Sequence, residues 1–266
     1  MIRSMYSGIT GLQNHQQKLD VIGNNIANVN TYGFKKGRYT FEDMLSQQVQ
    51  GASAGTGDLG GTNPRQIGLG SSTGSITNIH TQGALQPTGR ELDLGIAGDG
   101  YFRVSDGGTP AEVFYTRAGD FYRDNNGDIV NSNGYYLLNT SGNRINIPTD
   151  AEGFSIGADG TVTIVGGTDA EEHQISLATF PNPEGLEKVG GNLYRTTDNS
   201  GVENPVNGGV PGEGGRGQIA AGTLEMSNVD LSEEFVEMIT AQRGLQANTR
   251  IITTSDEVLQ ELLNLK

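Results

Sequence analysis

Cysteine and tryptophan are absent from this 266-residue sequence, and only 6% of its residues are aromatic. Without cysteine the chain has no disulfide framework, no thiolate metal site and no thiol nucleophile. The first twenty residues lack the apolar segment of a cleavable secretory signal, and no run approaches the ~18 apolar residues of a membrane helix. The formal net charge of −14 argues against a nucleic-acid partner.

Motifs for catalysis, metals or cofactors are also lacking. GTGDLG (55–60) has the glycine spacing of a dinucleotide loop, but Gly/Ser-rich flanks replace the strand and helix that this fingerprint needs. DNNGD (124–128) begins like a calcium loop, yet Ile129 and Tyr135 stand where that loop needs glycine and glutamate. We therefore expect a hairpin turn there and a non-enzymatic protein without cofactor or metal. The three histidines show no metal-ligand spacing; they are His15, His80 and His173.

Helical periodicity is confined to the two ends, where apolar residues recur at steps of three and four and predict coiled-coil seams. The N-terminal seam contains Ile2, Met5, Ile9, Leu12, Leu19 and Ile26. The C-terminal seam contains Leu231, Phe235, Met238, Leu245, Ile252, Leu259 and Leu263. Asp230, followed by Glu233, is typical of a helix start. Residues 1–38 carry a net charge of +4 and residues 226–266 carry −4, so we expect the helices to pair, within one subunit or between neighbours.

The middle of the chain favours β-structure. It holds 35 of the 41 glycines, between residues 51 and 225, and all eight prolines. Leu92, Leu94 and Ile96 alternate as in a strand. Three hairpin turns are indicated by the dipeptides Asn126-Gly127, Asn133-Gly134 and Asp159-Gly160.

The predicted fold is mixed α and β, with terminal helices forming a coiled-coil layer and an all-β central domain. We divide the chain into a helical domain (1–30 and 230–266), a linker with a Gly-rich stretch (31–75, joined by 222–229) and a β-rich domain (76–221). The composition of residues 51–74, mostly Gly, Ser, Thr and Ala, is typical of a flexible link.

Two long terminal motifs resemble those of the bacterial flagellar rod, hook and hook-associated proteins. NNIANVNTYGFKK (24–36) resembles the N-terminal signature of that family, and residues 226–265 resemble its C-terminal signature. ELDLGIAGDGYFRV (91–104) and the stretch 114–138 are similar to its shared β-domain. Within the family, GGTNPRQIGLGSSTGSI (60–76) favours a hook subunit of compact form, without the outer inserted domain, over a distal rod subunit.

The resemblance implies a structural subunit that polymerises with copies of itself into a tube around a channel. The terminal helices form the inner layer of such tubes, and the β-domain forms the outer wall. A hook is the flexible joint that transmits torque from rod to filament. The implied partners are the distal rod protein, the hook cap and hook–filament junction proteins, and the flagellar type III export apparatus. Nucleic acid and membrane insertion are not implied, and the expected location is the extracellular hook and basal body, reached without a cleavable signal.

The family motif supplies the candidate assembly residues: Asn24, Asn25, Asn28, Asn30, Thr31, Gly33, Phe34 and Lys35. Gly33 is expected to turn the chain and Phe34 to anchor the turn. Lys35, Lys36 and Arg38 are expected either to meet acidic groups of a neighbouring subunit or to form a solvated basic turn.

The neutral amide side chains are candidates for lining the channel. They keep its surface hydrated, and they do not form a ring of charges that would bind an unfolded chain passing through it. The candidates are Gln13, Gln17, Asn24 and Asn28. Alternatively, Asn28 and Asn30 simply end the helix.

Because a hook must bend, we expect polar contacts between the outer β-domains of neighbouring subunits and apolar contacts among the inner helices. A continuous apolar contact between outer domains would instead favour a stiffer rod. The isolated monomer is expected to have disordered ends, leaving a proteolytic fragment of roughly residues 40–225.

A different class of function is a secreted β-domain that binds a carbohydrate or protein ligand, with helices that only oligomerise. Its expected mark is an aromatic platform, for which the sequence offers Tyr135 and Tyr136.

Overall fold

The computed structural model describes residues 2–55, 60–108, 112–166 and 173–264. The chain forms two compact units, each built from separate stretches of sequence. The helical unit comprises Met1–Ala27, Gly37–Thr77 and Asp230–Lys266. The β unit comprises Asn28–Lys36 and Asn78–Val229.

Helices α1 (Ile2–Ala27) and α2 (Leu231–Asn264) pack against each other in the helical unit. The predicted start of α2 is confirmed. The Oδ1 atom of Asp230 accepts a hydrogen bond of 2.8 Å from the Ser232 N–H, and Glu233 and Glu234 lie in the first turn. A side-chain acceptor and negative charge at this end both stabilise a helix. Terminal helices with a central β region agree with the predicted mixed fold.

Two antiparallel ribbons complete the helical unit. Strand β1 (Gly37–Asp43) pairs with β4 (Ser71–Asn78), and β2 (Ser46–Gln50) pairs with β3 (Arg65–Gly68).

The two compact units divide the chain differently from the predicted domains. Much of the predicted linker 31–75 is paired backbone, because Ser, Thr and Gln can form strand ladders even where their composition is typical of a loop. Residues 28–36 and 222–229 belong to the β unit. They do so because the Gly33 N–H donates to the Glu225 carbonyl at 2.8 Å.

Sixteen strands build the β unit, with one 3₁₀ turn (Pro183–Gly185) among the described residues. They are β5 (Leu85–Pro87), β6 (Leu94–Ala97), β7 (Tyr101–Ser105), β8 (Val113–Thr116), β9 (Phe121–Arg123), β10 (Ile129–Asn131), β11 (Tyr136–Leu137), β12 (Gly153–Ile156), β13 (Thr161–Val165), β14 (His173–Gln174), β15 (Leu177–Thr179), β16 (Glu187–Gly190), β17 (Leu193–Arg195), β18 (Asn204–Gly209), β19 (Gln218–Ala221) and β20 (Thr223–Glu225).

The main sheet of the β unit has the order β16-β17-β8-β7-β11-β10-β9, and β15 joins it by pairing with both β7 and β18. A smaller sheet has the order β12-β13-β14, and the pairs β6–β19 and β5–β20 stand beside them. Because β20 pairs with β5, the last strand before α2 is tied to the first strand of this unit.

All three predicted hairpin turns are present. β9 and β10 pair around Asn126-Gly127, β10 and β11 around Asn133-Gly134, and β12 and β13 around Asp159-Gly160. Gly127 has φ of 90°, a left-handed conformation that glycine adopts without a steric cost. The calcium-like stretch 124–128 is thus the turn of the first hairpin. The dinucleotide-like stretch 55–60 overlaps residues 56–59, outside the described part of the chain.

The hydrophobic core lies inside the β unit. Leu94 and Ile96, two members of the predicted alternating strand, are fully buried. Phe102 and Phe121 cross at its centre with ring centroids 5.4 Å apart and planes at 87°, a favourable edge-to-face arrangement. This core fixes the strands that carry the polar clusters described below.

Candidate assembly surfaces

Small and polar residues make up most of the line of contact between α1 and α2, and Ile252 is an apolar member. Lys18 on α1 forms an ion pair with Glu237, and the Asn25 amide donates to Glu234 Oε2 at 3.2 Å. Three glycines lie at the closest approaches: a Cβ atom on Gly8 would contact Ile252, one on Gly11 would lie 2.7 Å from the Asn248 amide, and one on Gly244 would lie 2.5 Å from the His15 ring. Rising numbers on α1 meet falling numbers on α2, so the helices are antiparallel.

The contact line differs from the predicted seams. On α1 it runs through positions 8, 11, 15, 18 and 25, whereas the predicted seam uses positions 9, 12, 19 and 26. A shift of one residue turns the helix by about 100°. The reason is that glycine lets two backbones approach more closely than an aliphatic side chain does. Ile252 is common to the predicted seam and the contact line.

The predicted seam residues are consequently only partly covered by the chain itself. Ile9 is 39% exposed and Phe235 is 49% exposed. Leu231 and Leu263 are also exposed. The half-buried members are Met5, Leu12, Leu19, Ile26, Met238, Leu245, Ile252 and Leu259. The side chain of Ile2 lies outside the described part.

Further apolar residues lie exposed on α2: Val236, Ile239, Ile251, Val258 and Leu262. Together with Leu231, Phe235 and Leu263 they are eight exposed apolar residues, grouped toward the two ends of α2. Clusters of exposed apolar residues are typical of contacts with another macromolecule.

The β2–β3 ribbon is a second exposed surface. Every residue of both strands is exposed. Among them are Val49 and Ile67, and the neighbouring Leu45 is 86% exposed. A two-stranded ribbon with no covered face is marginally stable in water, so this segment needs a partner.

Asn25 fixes the position of β1 on α1. Its amide nitrogen donates to the Gly37 carbonyl at 2.9 Å, and its oxygen accepts from the Gly37 N–H at the same distance. Asn25 is buried, and Glu234 of α2 lies against the same amide. An amide can donate and accept at once, so this single side chain satisfies both backbone groups of the half-buried Gly37.

The other predicted lumen-facing amides are placed as follows. Gln17 accepts hydrogen bonds from Tyr39 at 3.1 Å and from Thr73 at 2.7 Å, so it holds the β1–β4 ribbon against α1. Gln13 and Asn24 are exposed, and half-buried Asn28 accepts a bond from Thr31. A channel-facing position for these residues stays a prediction.

Three motif residues lie at the start of the β unit. Gly33 has φ of 68°, and a Cβ there would lie 2.5 Å from the Ala118 nitrogen, so only glycine fits this turn. Phe34 is buried. The exposed Asn30 lies two residues before the exposed Tyr32.

Both sequence-based expectations for Lys35 are wrong. Lys35 is fully buried, and its Nζ atom lies 2.6 Å from Glu225 Oε1 and 2.8 Å from the Thr81 carbonyl. It therefore pairs within its own chain rather than with a neighbour or solvent. Arg117 binds the other carboxylate oxygen of Glu225 at 3.3 Å. Burial lowers the pKa of Lys35, and the Glu225 carboxylate opposes this shift.

Sequence reasoning missed Glu225, Arg117 and Asn228. The Asn228 side chain accepts from the Lys36 N–H at 2.7 Å and donates to the Ile79 carbonyl at 2.8 Å. Asn228 lies inside the C-terminal motif, and this position marked it as a residue of interest. The motif alone, however, does not reveal that its partner is Lys36, which is far away in the sequence.

Comparison with known families matches three parts of the chain. Residues 5–35 match the family described as "Flagella basal body rod protein", residues 95–164 match "Flagellar hook protein FlgE/F/G D1 domain", and residues 220–265 match "Flagellar basal body rod FlgEFG protein C-terminal". The sequence is 59% identical to the flagellar basal-body rod protein FlgG of Bacillus subtilis over the full length of both proteins. This chain belongs to the flagellar rod and hook protein family.

Other members of the flagellar rod and hook family are also similar. FlgG of Agrobacterium fabrum is 39% identical, with 97% of each chain covered. The flagellar hook protein FlgE of Borreliella burgdorferi is 31% identical over 447 aligned residues that cover all of both proteins. The chain is thus a component of the flagellar basal body or hook.

The tyrosines that could form an aromatic platform, Tyr135 and Tyr136, both contact other side chains of the β unit. Tyr135 packs against Phe114 with centroids 5.3 Å apart, and Arg144 lies 3.9 Å over the Tyr136 ring. Both tyrosines are therefore engaged by their own chain rather than forming an open platform. Within the described ranges, neither helix combines the length and apolar character needed to cross a membrane.

Proposed function

We propose that this chain is the distal rod subunit of the flagellar basal body. The observation that carries this is the 59% identity to FlgG of Bacillus subtilis over the whole of both chains, with no large insertion. Identity to the hook protein of Borreliella burgdorferi is 31%, in an alignment that extends to 447 residues. The hook role that the sequence favoured becomes the alternative, supported by the segment 60–76.

The exposed apolar residues of the β2–β3 ribbon favour the rod assignment over the hook. A joint that bends as it rotates must let neighbouring subunits slide, and sliding exposes buried surface. Each Å² of apolar surface exposed costs about 25 cal/mol. A ribbon that presents Leu45, Val49 and Ile67 to a second copy would resist that motion and stiffen the tube.

The helices supply the second contact in this proposal. The exposed apolar residues of α2, among them Phe235 and Leu263, become buried when copies of the chain assemble into a tube. This burial drives polymerisation, because the single chain leaves these side chains in water. Export through the flagellar type III apparatus precedes assembly.

Electron microscopy of flagellar bases from a strain lacking only this gene tests the proposal. We expect truncated rods without hooks. Complete rods that lack hooks would assign the chain to the hook, and normal flagella would bring back the ligand-binding alternative. Complementation with Leu45→Ser/Val49→Ser should leave rods short or fragile, whereas the control Val165→Ser, at an exposed site of the β unit, should restore them.

A further inference from the structure

Four turns of the β unit meet around a cavity of about 280 Å³. They are residues 30–32 of the family motif, the link between β8 and β9, the turn at Asn133-Gly134 and the turn between β16 and β17. The volume is several times that of a water molecule, so the end of one flat side chain fits. Tyr32 is 38% exposed, and Asn30 and Asn133 are exposed as well, so a ligand in solvent can reach these residues.

Asp120 is the one charged residue in the described lining of this cavity. It is half-buried, and no ion pair of the described residues includes it. Burial raises the pKa of Asp120, and hydrogen bonds from its own backbone and from Ser132 oppose the rise. Asp93 also raises this pKa, but its charge is offset by Arg90, 3.4 Å away. The Asp120 carboxylate therefore has no counterion of its own, and a cation in the cavity would stabilise it.

Two asparagines of the lining offer their amide oxygens as acceptors. The amide nitrogen of Asn133 donates to the Gly191 carbonyl at 3.4 Å, and that of Asn192 donates to the Tyr32 carbonyl at 3.0 Å. Neither amide oxygen has a hydrogen-bond partner among the described residues. Because the nitrogens are directed to backbone carbonyls, the oxygens are the groups left for a ligand.

The other polar residues of the lining give a similar balance. The Thr31 hydroxyl donates to the Asn28 side chain at 3.1 Å, so only its lone pairs are left. Asn131 differs, because its oxygen accepts from two backbone N–H groups of its own turn at 3.0 and 2.9 Å. Acceptors thus predominate around a single carboxylate, so a fitting ligand brings hydrogen-bond donors and a positive charge.

A guanidinium group meets these requirements better than a metal ion or an ammonium group. It carries five N–H donors in a planar fork, whereas an ammonium has three donors at one point and reaches fewer acceptors. The ring of Tyr32 at the cavity mouth offers an aromatic face to such a cation. Within the described ranges, no group of three or more histidine or acidic residues could hold a metal ion.

We propose that this cavity binds a guanidinium group, which donates to the Asp120 carboxylate and to the amide oxygens of Asn133 and Asn192. The occupant is an exposed arginine side chain of a second copy of the chain. Charge complementarity supports this source: residues 39–225 carry nine basic and 23 acidic residues, whereas residues 1–38 carry a net charge of +4 and include the exposed Arg3 and Arg38. The occupant rests on the proposed function, because it requires self-assembly; the guanidinium site itself does not.

Nuclear magnetic resonance of the full chain with methylguanidinium chloride as the probe tests the site. We expect a saturable shift of the side-chain amide signals of Asn133 and Asn192 that sodium chloride at equal ionic strength does not reproduce. Methylammonium chloride should bind several-fold more weakly, since it has fewer donors. Asp120→Asn removes the charge and keeps the shape, so it should weaken methylguanidinium binding at least about tenfold. This variant also reports any general effect of the probe on the protein.

Asn133→Asp provides a variant of opposite sign and keeps the test open if Asp120→Asn does not fold. A second carboxylate in the lining should lower the methylguanidinium concentration at half-saturation about threefold. The matched control is Asn126→Asp, at the exposed asparagine of another Asn-Gly hairpin turn that does not line the cavity, which should change nothing. Absence of a saturable shift, equal binding by wild type and Asp120→Asn, or equal effects of the two aspartate variants would overturn the proposal.

A polymerisation assay tests the occupant. If an arginine of a second copy fills the cavity, methylguanidinium slows self-assembly of the wild type more than sodium chloride does, and Asp120→Asn assembles more slowly than the wild type without the probe. If methylguanidinium binds and assembly is unaffected, the second copy is overturned as the occupant and the ligand is a free guanidinium compound. Failure of the rod assignment would appear instead in the deletion strain as complete rods or normal flagella, independently of methylguanidinium binding.

Discussion

Lys35 and Glu225 are separated by 190 residues, yet their Nζ and Oε1 atoms lie 2.6 Å apart with neither side chain exposed. The pair ties the family motif at one end of the β unit to the last strand at the other. A buried ion pair contributes little when intact, but removal of one partner leaves an uncompensated charge.

Glu225→Ala should therefore destabilise the β unit by about 3–5 kcal/mol. The substitution leaves the buried cations Lys35 and Arg117 without the carboxylate that both of them bind. Urea unfolding of purified protein measures the change. The control is Glu184→Ala, at an exposed glutamate, which should change the free energy of unfolding by less than about 0.5 kcal/mol. Equal effects of the two substitutions would show that the buried pair is dispensable.

Asn25→Ala should loosen the helical unit by about 1–2 kcal/mol, because the N–H and carbonyl of the half-buried Gly37 lose their partner. Gln13→Ala is the matched control, since it removes an exposed amide from the same helix. Circular dichroism during thermal unfolding gives both values. A Gln13 effect as large as that of Asn25 would contradict the role assigned to the buried amide.

Two glycine substitutions should act in opposite directions. A Cβ atom on Gly244 would lie 2.5 Å from the His15 ring, whereas one on Gly23 would meet nothing within 4 Å. Gly23→Ala should raise helix stability by about 0.5–1 kcal/mol through backbone entropy. Gly244→Ala should lose that gain and weaken the pairing of the helices.

Hydrogen exchange of amides in α1 and α2 measures both glycine variants. Protection should rise in the first and fall in the second. If both variants gain protection, the His15 ring moves aside freely and the close contact is not a constraint.

Acid should weaken the β unit through His80. Because burial lowers the pKa of His80 from 6.5 to about 4, the unfolded chain binds a proton more readily than the folded one between these values. Stability is fully present above pH 6.5 and falls as the pH drops toward 4, by up to about 3 kcal/mol. Lys35 and Arg117 add to this effect, since both disfavour a second cation nearby.

The check is the difference in unfolding free energy between wild type and His80→Gln, measured from pH 7 to pH 4. The stability advantage of the wild type should shrink over that range. His173→Gln, at a histidine on the edge strand β14, is the control and should follow the wild-type curve. A constant difference between wild type and His80→Gln would mean that the ring titrates alike in both states.

Local signals in the sequence predicted local structure well. The hairpins at Asn126-Gly127 and Asn133-Gly134 follow from turn residues that lie between their own strands, and the start of α2 follows from Asp230. These features depend on residues within a few positions of each other. Their outcome needs no knowledge of the rest of the chain.

Features that depend on distant partners were not predicted. The burial of Lys35 requires Glu225, and no periodicity connects the two. The contact line of the helices within one chain was not predicted, because apolar spacing identifies the most apolar face of α1. The two helices approach each other closely at Gly8 and Gly11, because glycine has no side chain to keep the backbones apart. The β1–β4 ribbon fell inside the predicted linker, because the residues of β4 are mostly small and polar and β1 carries no signal that identifies its partner.

The placement of Lys35 and Glu225 also has a consequence for timing. A ribosome adds about 5–20 residues per second, so the 190 residues between them take roughly 10–40 s to make. During that interval the lysine has no carboxylate to accompany it into the interior, and the β unit stays unfinished. The buried pair, and with it the β unit, therefore cannot be completed until almost the whole chain has been made.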